Sequence, residues 1–324
     1  MKALITGVAG FVGSHLAEFL LSRGAEVHGV VEASGKTTNL HEVLSRLSIM
    51  EADIRQPESL RRVVRKIVPD EIYHLAAISS VPRSLEDPFL TYETNVFGTI
   101  NVLEAAREAS GVPRVLCISS AQVYDAGVQP APLTETAPTR PLTPYAGSKL
   151  CAEIAALQYK ASWGMPVVVV RPFNCIGPRQ SPDFVCSNFG KQMAEISLGI
   201  RPAVLHVGDV SRERDFTDVR DAARAFVLAL EQGVSGETYN VCSCARHSIR
   251  EVIDTLADIA GLTVTVEAEA SRKRATDPSA IVGDWSKLNQ RTGWRPEIPF
   301  RQSLKDLFLY WRERVTAPSG QGSR

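Results

Sequence analysis

Tyr145 and Lys149 are the residues of this 324-residue chain whose types and spacing most directly suggest chemistry. They follow Pro144 at the start of an amphipathic segment, and residues i and i+4 share one face of a helix. A free phenol has a pKa of about 10, which is too high for proton transfer at neutral pH. A fixed ammonium group beside the phenol favours the phenolate and lowers that pKa. The spacing therefore indicates a proton-transfer pair.

Glycines occupy the first, fourth and seventh positions of the segment Gly7-Val8-Ala9-Gly10-Phe11-Val12-Gly13, between a predicted strand and a predicted helix. Gly7 permits a tight turn, Gly10 lacks a Cβ where backbone approaches a pyrophosphate, and Gly13 allows close packing of helix on strand. The N-terminus of the helix offers free N–H groups to phosphates. In this context the motif predicts a dinucleotide site.

The segments that would position these residues alternate between short apolar runs and amphipathic stretches. The predicted strands are Lys2–Thr6, Glu26–Val31, Ser48–Ala52, Glu71–Leu75, Arg114–Ser119 and Val167–Arg171. The predicted helices are Ser14–Arg23, Pro57–Ile67, Thr94–Ser110 and Tyr145–Ser162. This alternation indicates an α/β fold with a Rossmann-type, doubly wound parallel sheet that is covered by helices on both faces.

Proline and glycine become frequent after Arg171, and shorter elements follow, which favours a smaller second lobe. The predicted division is a Rossmann domain over 1–171 to which 220–244 returns, a substrate-binding α/β lobe over 172–219 and 245–314, and a disordered tail over 315–324.

The composition limits the classes of partner. Lys plus Arg and Asp plus Glu are 36 each, so there is no net charge to favour nucleic acid or an anionic membrane. No apolar run approaches the roughly 20 residues that span a bilayer, and no signal-peptide pattern opens the chain. We therefore expect a cytoplasmic protein. Its six cysteines lack zinc-ligand spacing, so we expect free thiols and no metal.

The glycine spacing resembles that of the extended short-chain dehydrogenase/reductases. Further matches are Asp53-Ile54, His74-Leu75-Ala76-Ala77 and Asn95-Val96-Phe97-Gly98-Thr99. The resemblance implies a nicotinamide cofactor, with Asp53-Ile54 against its adenine and Ala76-Ala77 passing close to it. The implied cofactor-binding residues are Gly7, Gly10, Phe11, Val12, Gly13, Glu32, Asp53, Ile54, Leu75, Ala76, Ala77, Asn95, Tyr145, Lys149 and Pro172.

The same resemblance adds Ser120, at the end of the fifth predicted strand, to the proton-transfer pair. In this family the serine hydrogen-bonds the reacting oxygen, and Lys149 also holds the nicotinamide ribose. Ser120, Tyr145 and Lys149 would together support hydride chemistry at a carbinol carbon.

Glu32 is the acidic residue expected at the end of the second strand. A carboxylate there accepts hydrogen bonds from both ribose hydroxyls of NAD and repels a 2′-phosphate. Similar proteins that use NADP carry arginine at this position. Arg23 and Lys36 leave NADP possible, but Glu32 favours NAD.

Four stretches resemble the nucleotide-sugar branch of the family, which includes epimerases, 4,6-dehydratases and 4-keto reductases. They are Arg171–Pro178, Arg214–Val219, Tyr239–Ser243 and Gly293–Pro296. Within this branch the second half is most similar to GDP-4-keto-6-deoxy-mannose reductases. The resemblance implies reduction of a GDP-linked 4-keto-6-deoxy-hexose at C4 as the activity.

A diphosphate substrate needs guanidinium groups, and Arg214 and Arg274 are the candidates. In relatives, backbone near Phe184-Val185 and side chains such as Lys191 contact the nucleotide base, and Asn174 would face a sugar or phosphate oxygen. The predicted substrate-binding residues are Ser80, Arg83, Ala121, Gln122, Asn174, Phe184, Val185, Lys191, Arg214, Arg274 and Asp277.

Ala121 and Gln122 depart from the pattern of the dehydratases. Those enzymes place Asp-Glu or Ser-Glu at these positions to remove water across C5–C6, whereas alanine and glutamine do not exchange protons at neutral pH. The departure argues against dehydration. Similar reductases often carry Glu there too, so Ala121 and Glu32 keep an NAD-retaining 4-epimerase as the alternative. Two glycines are also replaced, by Asp125 and Cys244.

A catalytically silent nucleotide-sugar-binding protein on the same fold is a third hypothesis, against which the intact set Ser120, Tyr145 and Lys149 argues. Relatives commonly dimerise through the helices around Thr94–Ser110 and Tyr145–Ser162. We therefore expect a homodimer.

Overall fold

The computed structural model describes residues 1–33, 35–125, 132–269 and 280–316. The strands in these residues are β1 Lys2–Thr6, β2 Glu26–Val31, β3 Ser48–Glu51, β4 Glu71–His74, β5 Arg114–Ile118, β6 Val167–Pro172, β7 Asn174–Ile176, β8 Val204–Val207, β9 Glu213–Arg214, β10 Phe216–Asp218, β11 Thr238–Val241, β12 His247–Ser248, β13 Thr265–Ala268 and β14 Ala280–Ile281. The α-helices are α1 Phe11–Ser22, α2 Pro57–Ile67, α3 Val81–Glu86, α4 Pro88–Tyr92, α5 Gly98–Arg107, α6 Pro144–Trp163, α7 Val185–Ser197, α8 Val219–Gln232, α9 Ile249–Ala260, α10 Ser286–Thr292 and α11 Phe300–Thr316.

One parallel sheet organises the described chain, with strand order β11-β6-β5-β4-β1-β2-β3. The order changes direction between β1 and β4, which is the Rossmann arrangement and opens a crevice at the carboxyl ends of these strands. The predicted fold class is confirmed.

Apolar side chains cover both faces of the sheet. Leu4 and Ile5 are neighbours in β1 but belong to opposite cores, because successive strand residues point to opposite faces. Ile5 packs with α1 and α8, for example with Leu20 and Phe226. Leu4 packs with α2 and α5, for example with Val63. Burial on both faces explains why the strands are continuous apolar runs.

The six predicted strands all exist, and β1, β2 and α2 have the predicted bounds. Three helices differ from the prediction, and α6 does so by only one residue at each end. α1 begins at Phe11 rather than Ser14, because Gly10 serves as its N-cap without any side chain. The predicted helix Thr94–Ser110 is part of a longer arrangement, in which a π-helical segment, Glu93–Phe97, separates α4 from α5.

Beyond β6 the chain builds small sheets around a third core. β7 pairs with β10, β8 with β13, and β9 lies between β12 and β14. α7, α9 and α11 pack together through residues such as Phe189, Leu256 and Leu304. α8 and β11 return to the large sheet, where β11 pairs with β6.

The division into two domains stays a prediction. α11 continues to Thr316, so the predicted tail begins later than residue 315, and 317–324 lie outside the described residues. In the part of the chain that the structure describes, no helix combines the length and apolar character needed to cross a membrane.

Candidate active site

A cavity of about 890 Å³ lies at the carboxyl ends of β1, β2 and β4. Its walls include the predicted cofactor residues Gly7, Gly10, Glu32, Ile54, Ala76 and Ala77, together with Lys36, Arg55, Ser80 and Arg83. Gly13, Asp53, Leu75 and Asn95 are not among the described residues of this wall. Ser80 and Arg83, predicted to bind substrate, thus lie beside the cofactor turn.

The glycine turn has no room for side chains. Gly7 has φ of +71°, and a Cβ on it would lie 2.8 Å from the backbone nitrogen of Ala76. A Cβ on Gly13 would lie 2.3 Å from the carbonyl oxygen of Gly7, so Gly13 is needed for helix packing. No described side chain caps α1, and its first turn contains no acidic residue. This N-terminus therefore fits the pyrophosphate of a dinucleotide.

Asp53 is paired with a residue of its own loop, and its place at the adenine stays a prediction. Its carboxylate accepts hydrogen bonds from the guanidinium of Arg55, with Oδ2 2.6 Å from Nη2, and this contact lowers the pKa of Asp53. Asp53 therefore orients Arg55, which forms part of the wall near Glu32. Arg23, considered for a phosphate, instead pairs with Glu231 at 3.0 Å outside this cavity.

Asn95 is buried beside the turn after β4, and its role at the cofactor stays a prediction. Its buried amide donates to the carbonyl of Ile78 at 3.0 Å and to Ser148 Oγ at 2.9 Å. Its Oδ1 accepts the N–H of Ile78 at 2.8 Å. The side chain thus ties the turn after β4 to α6. Leu75 packs against the core on the α1 face.

A second cavity of about 530 Å³ adjoins the first, since Ser79 and Phe184 line both. Its walls include the predicted residues Phe11, Val12, Ser120, Ala121, Gln122, Tyr145, Pro172, Asn174, Phe184, Val185 and Arg214. The cofactor helix, the end of β5, the start of α6 and the second lobe therefore meet at one place.

Tyr145 lies in the first turn of α6, which begins at Pro144 after the N-cap Thr143. Thr143 Oγ1 accepts the N–H of Ala146 at 3.2 Å, and Ser84 Oγ accepts the N–H of Tyr145 at 3.2 Å. The phenol hydrogen-bonds Ser120. Burial raises the pKa of Tyr145, while the Ser120 hydrogen bond lowers it, and burial prevails.

Lys149 is buried one turn further along α6. Burial lowers the pKa of its ammonium to about 8. The pKa of the buried His74 is lowered to about 3, mainly by burial and to a smaller extent by the positive charge of Lys149. Ser120 and Tyr145 are thus in contact at the start of α6, whereas Lys149 is not among the described residues that line either cavity.

Three predicted substrate residues lie elsewhere or cannot be placed. Lys191 Nζ lies 3.8 Å from Glu195 and over the ring of Trp311, so it is directed away from the cavity wall by its neighbours. Arg274 and Asp277 lie outside the described residues.

Arg214 and Asn174 reach the second cavity from two strands of the second lobe. Arg214 lies on β9, the central strand of the β12-β9-β14 sheet, and its Nη1 donates to the carbonyl of Glu213 at 2.7 Å. Asn174 Nδ2 donates to the carbonyl of Asp215 at 3.1 Å. Both side chains are therefore held by backbone of the same lobe.

Other wall residues were not predicted to form the site, although Asp125 stands out in the sequence as a replaced glycine. Asp125 lines the second cavity with 15% of its side chain exposed and lies 3.8 Å from Arg140, which also lines it. Tyr124 donates to Asn240 at 2.7 Å and has the guanidinium of Arg171 4.7 Å from its ring centre. The motif around Ser120 contains Tyr124, but only the fold shows that it forms a wall.

A Rossmann sheet with a glycine turn, a Ser–Tyr–Lys set and a second lobe over the crevice defines a nicotinamide-dependent enzyme of the extended short-chain dehydrogenase/reductase class. Residues 4–307 match the family model described as GDP-mannose 4,6 dehydratase, and the chain belongs to this family.

Three similar proteins illustrate the range of the family. The chain is 35% identical over 316 residues to the GDP-6-deoxy-D-mannose reductase of Pseudomonas aeruginosa, covering 97% of this chain and 98% of that protein. The structure of RMD from Pseudomonas aeruginosa complexed with NADPH has a TM-score of 0.83 at 34% identity, covering 97% and 99% of the two chains. The UDP-glucose 4-epimerase of Thermus thermophilus in complex with NAD has a TM-score of 0.85 at 34% identity, covering 96% and 99%.

Proposed function

We propose that this protein is a nucleotide-diphosphate-sugar oxidoreductase that acts at C4 of the sugar by reducing a GDP-linked 4-keto-6-deoxy-hexose. The observation that carries the proposal is the buried Tyr145 phenol. It hydrogen-bonds Ser120 in the wall of the second cavity, and burial raises its pKa. Such a phenol carries the proton that reduction delivers to the C4 oxygen, and the charge of Lys149 would ease its release. The similarity to a GDP-6-deoxy-D-mannose reductase agrees with this direction.

The bound nicotinamide would supply the hydride. Ser120 hydrogen-bonds the C4 oxygen of the sugar, and Tyr145 gives this oxygen its proton. Lys149 holds a positive charge near the phenolate that remains and makes its formation easier. The phenolate then recovers a proton from solvent. One proton transfer is all that the reduction requires of the chain.

Arg214, from the second lobe, would hold the diphosphate, since a guanidinium matches phosphate oxygens. Phe184 and Val185 lie at the N-terminus of α7 in the same wall and would contact the nucleotide. Asn174 would face a sugar or phosphate oxygen, and Arg274 and Asp277 would complete the set. GDP is favoured because the family model and the reductase relative both concern GDP sugars.

NAD is the proposed cofactor, although NADP is a close competitor. Glu32 lines the first cavity beside Lys36 and Arg55. Arg55 is already paired with Asp53 and lies 3.7 Å from Glu93. A 2′-phosphate would therefore face the Glu32 carboxylate, while Arg55 is engaged by carboxylates of the chain.

The alternative function is an NAD-retaining 4-epimerase. It is favoured by Glu32 and by the similarity to a UDP-glucose 4-epimerase that holds NAD. An epimerase regenerates its cofactor, so it would consume none over many turnovers.

The deciding assay supplies NADH or NADPH with GDP-4-keto-6-deoxy-mannose and follows the loss of absorbance of the reduced cofactor. Reduction with one cofactor consumed per sugar supports the proposal. A parallel assay supplies UDP-glucose without added cofactor. Interconversion of UDP-glucose and UDP-galactose by bound NAD, with no reduction of the keto sugar, would instead establish the epimerase.

A homodimer is part of the proposal. Exposed apolar side chains project from helices that pack against one another around α6: Leu85 on α3, Phe89 on α4, Phe97 in the π-helical segment, and Ile154 on α6. Phe89 is 90% exposed, which favours a second copy of the chain as its cover.

Light scattering on Phe89→Glu tests the dimer. We expect a dimeric wild type and a monomeric variant, whereas Val112→Glu, which changes another exposed apolar residue, should stay dimeric. A monomeric wild type would contradict the dimer.

The free thiols of all six cysteines suit a reducing compartment and support a cytoplasmic location.

A further inference from the structure

Arg179 has a backbone conformation that side chains rarely adopt. It lies between β7 and α7 with φ of 72°, in the left-handed region that favours glycine. Its side chain is only 10% exposed. A strained, buried arginine persists only where its surroundings fix it, and such positions concentrate at functional sites.

Most of the contacts that fix Arg179 come from the cofactor helix, and Glu42 adds a carboxylate 3.7 Å from Nη2. Arg179 Nη2 donates to Glu18 Oε1 at 2.5 Å, and Nη1 donates to Ser14 Oγ at 3.2 Å. Ser14 and Glu18 are i and i+4 on α1, so one guanidinium spans one turn of that helix. Between them, His15 Nε2 lies 3.0 Å from the carbonyl oxygen of Pro178. The loop is thus attached to α1 at two successive residues, Pro178 and Arg179.

The same loop leads to the wall that the two cavities share. Gln180 Nε2 donates to the carbonyl of Cys175 at 2.7 Å, and Ser187 Oγ donates to the carbonyl of Gln180 at 2.6 Å. These bonds connect the attached loop to β7 and to α7. Phe184, at the start of α7, lines both cavities, and Phe11 at the start of α1 lines the second. The position of α1 therefore sets the position of the shared wall.

We propose that Arg179 is a positioning residue that fixes the shared wall at Phe184 relative to the cofactor helix, so that nucleotide and cofactor bind in the correct mutual placement. The inference rests on the proposed function, because it takes the second cavity as the nucleotide-sugar site. Arg179 touches neither reacting group. It acts through the loop that carries Phe184.

The main test replaces Arg179 with glycine, which accepts φ of 72° and removes the guanidinium. Val68→Gly is the matched control, because Val68 also has positive φ, at 50°, but lies exposed at the end of α2. The probes are GDP, UDP and dTDP, titrated by calorimetry with NADH present, and NADH alone. Neither readout needs the correct sugar or catalysis.

We expect Arg179→Gly to weaken the binding of the nucleoside diphosphate by about tenfold or more, since small misplacements are costly in such sites. NADH binding should change less than about threefold. Val68→Gly should bind both as wild type does. Glu18→Gln keeps the shape of the partner but not its charge, and it should weaken nucleotide binding in the same direction. Glu18→Gln therefore still tests the proposal if Arg179→Gly does not fold.

The outcomes separate the two proposals. If wild type binds none of the three nucleoside diphosphates, the proposed function is wrong. If wild type binds one of them and both the Arg179 and Glu18 variants bind it equally well, Arg179 has only a structural role and the inference is wrong. A lower melting temperature with unchanged nucleotide affinity would likewise show that Arg179 serves stability alone.

Discussion

The Nδ1 atom of His74 lies 2.8 Å from the Oγ1 atom of Thr6 at the carboxyl ends of the central strands β4 and β1. On the other side of the ring, Nε2 lies 3.0 Å from Thr99 Oγ1, which donates its own proton to the carbonyl of Asn95 at 2.6 Å. Thr99 must therefore accept from Nε2–H, and Nδ1 accepts from Thr6. Thr6 Oγ1 also accepts the N–H of Ala76 at 3.2 Å. A neutral His74 therefore helps to hold the turn after β4.

The neutral state of His74 predicts acid sensitivity. Its pKa is about 3 in the folded protein and about 6.5 when unfolded, so below pH 6.5 only the unfolded state takes up this proton. The free energy of unfolding should therefore fall with decreasing pH, by about 1.4 kcal/mol per pH unit from this group.

Urea unfolding between about pH 4.5 and 7.5, the range around the unfolded-state pKa, measures the effect. His74→Gln should lack this component, so its stability should depend less steeply on pH than that of wild type. His41→Gln, which changes an exposed histidine, should leave the pH dependence as in wild type. Equal slopes for wild type and His74→Gln would show that His74 is not held neutral.

Lys149 should reduce stability while it supports catalysis. Burial lowers the pKa of Lys149 from 10.5 to about 8, which corresponds to a cost of about 3 kcal/mol at pH 7. Lys149→Met should raise the free energy of unfolding by about 2–3 kcal/mol below pH 8, and the gain should vanish towards pH 10.5, where unfolded chains also lose the proton. Activity should fall at least about 10²-fold.

The control is Lys305→Met at an exposed position of α11, which should change stability by less than about 0.5 kcal/mol. A destabilised Lys149→Met would mean that the ammonium is better solvated than its surroundings indicate.

Tyr145→Phe removes one hydroxyl and leaves the packing of the ring. We expect the rate of keto-sugar reduction to fall by about 10²–10⁴, the span for loss of a general acid. Cofactor affinity and melting temperature should change little. Tyr310→Phe, on α11, is the matched control with near-normal turnover. Turnover of Tyr145→Phe close to that of wild type would refute the assignment of the proton donor.

The Glu32 carboxylate in the wall of the first cavity predicts a preference for NAD. Wild type should have the higher kcat/KM with NADH, and Glu32→Arg should shift the ratio towards NADPH by about tenfold or more, or about 1.4 kcal/mol. The Pseudomonas relative that holds NADPH makes this a demanding test. A tenfold preference of wild type for NADPH would contradict it, and Arg55 and Lys36 would then be the groups that accept the 2′-phosphate.

The parts of the fold that follow from local pattern were predictable. β1, β2 and α2 were bounded correctly, because the continuous apolar runs of the two strands and the helix-starting Pro57 are visible in the sequence. The cofactor turn was predictable as well, since Gly7 and Gly13 are required by close backbone contacts.

Contacts between distant segments were not predictable. Asn95 was expected at the cofactor but bonds Ile78 and Ser148, because two loops meet around it only in the fold. Arg179 gave no local indication of its contact with Glu18, 161 positions away. Cys244 was noticed as a replaced glycine, and the structure gives the reason for glycine there: φ is 59°.

This enzyme should not dehydrate GDP-mannose by the route that the dehydratases use. Elimination across C5–C6 needs a base for the C5 proton and an acid for the leaving hydroxyl, besides Tyr145. Ala121 and Gln122 stand in the wall where relatives place that acid and base. Asp125 is the remaining carboxylate to consider, because it lines the same cavity.

Asp125 lies 3.8 Å from the guanidinium of Arg140, so its carboxylate is paired with a cation of the same wall. The Asp125 carboxylate can accept the proton that leaves C5. Ala121 and Gln122, however, have no acid group that could donate a proton to the leaving hydroxyl. Incubation of wild type with GDP-mannose and NAD should therefore yield no 4-keto-6-deoxy sugar by mass spectrometry, and Gln122→Glu should be required before any is detected. Product from wild type that disappears in Asp125→Asn would overturn this prediction and identify Asp125 as the base.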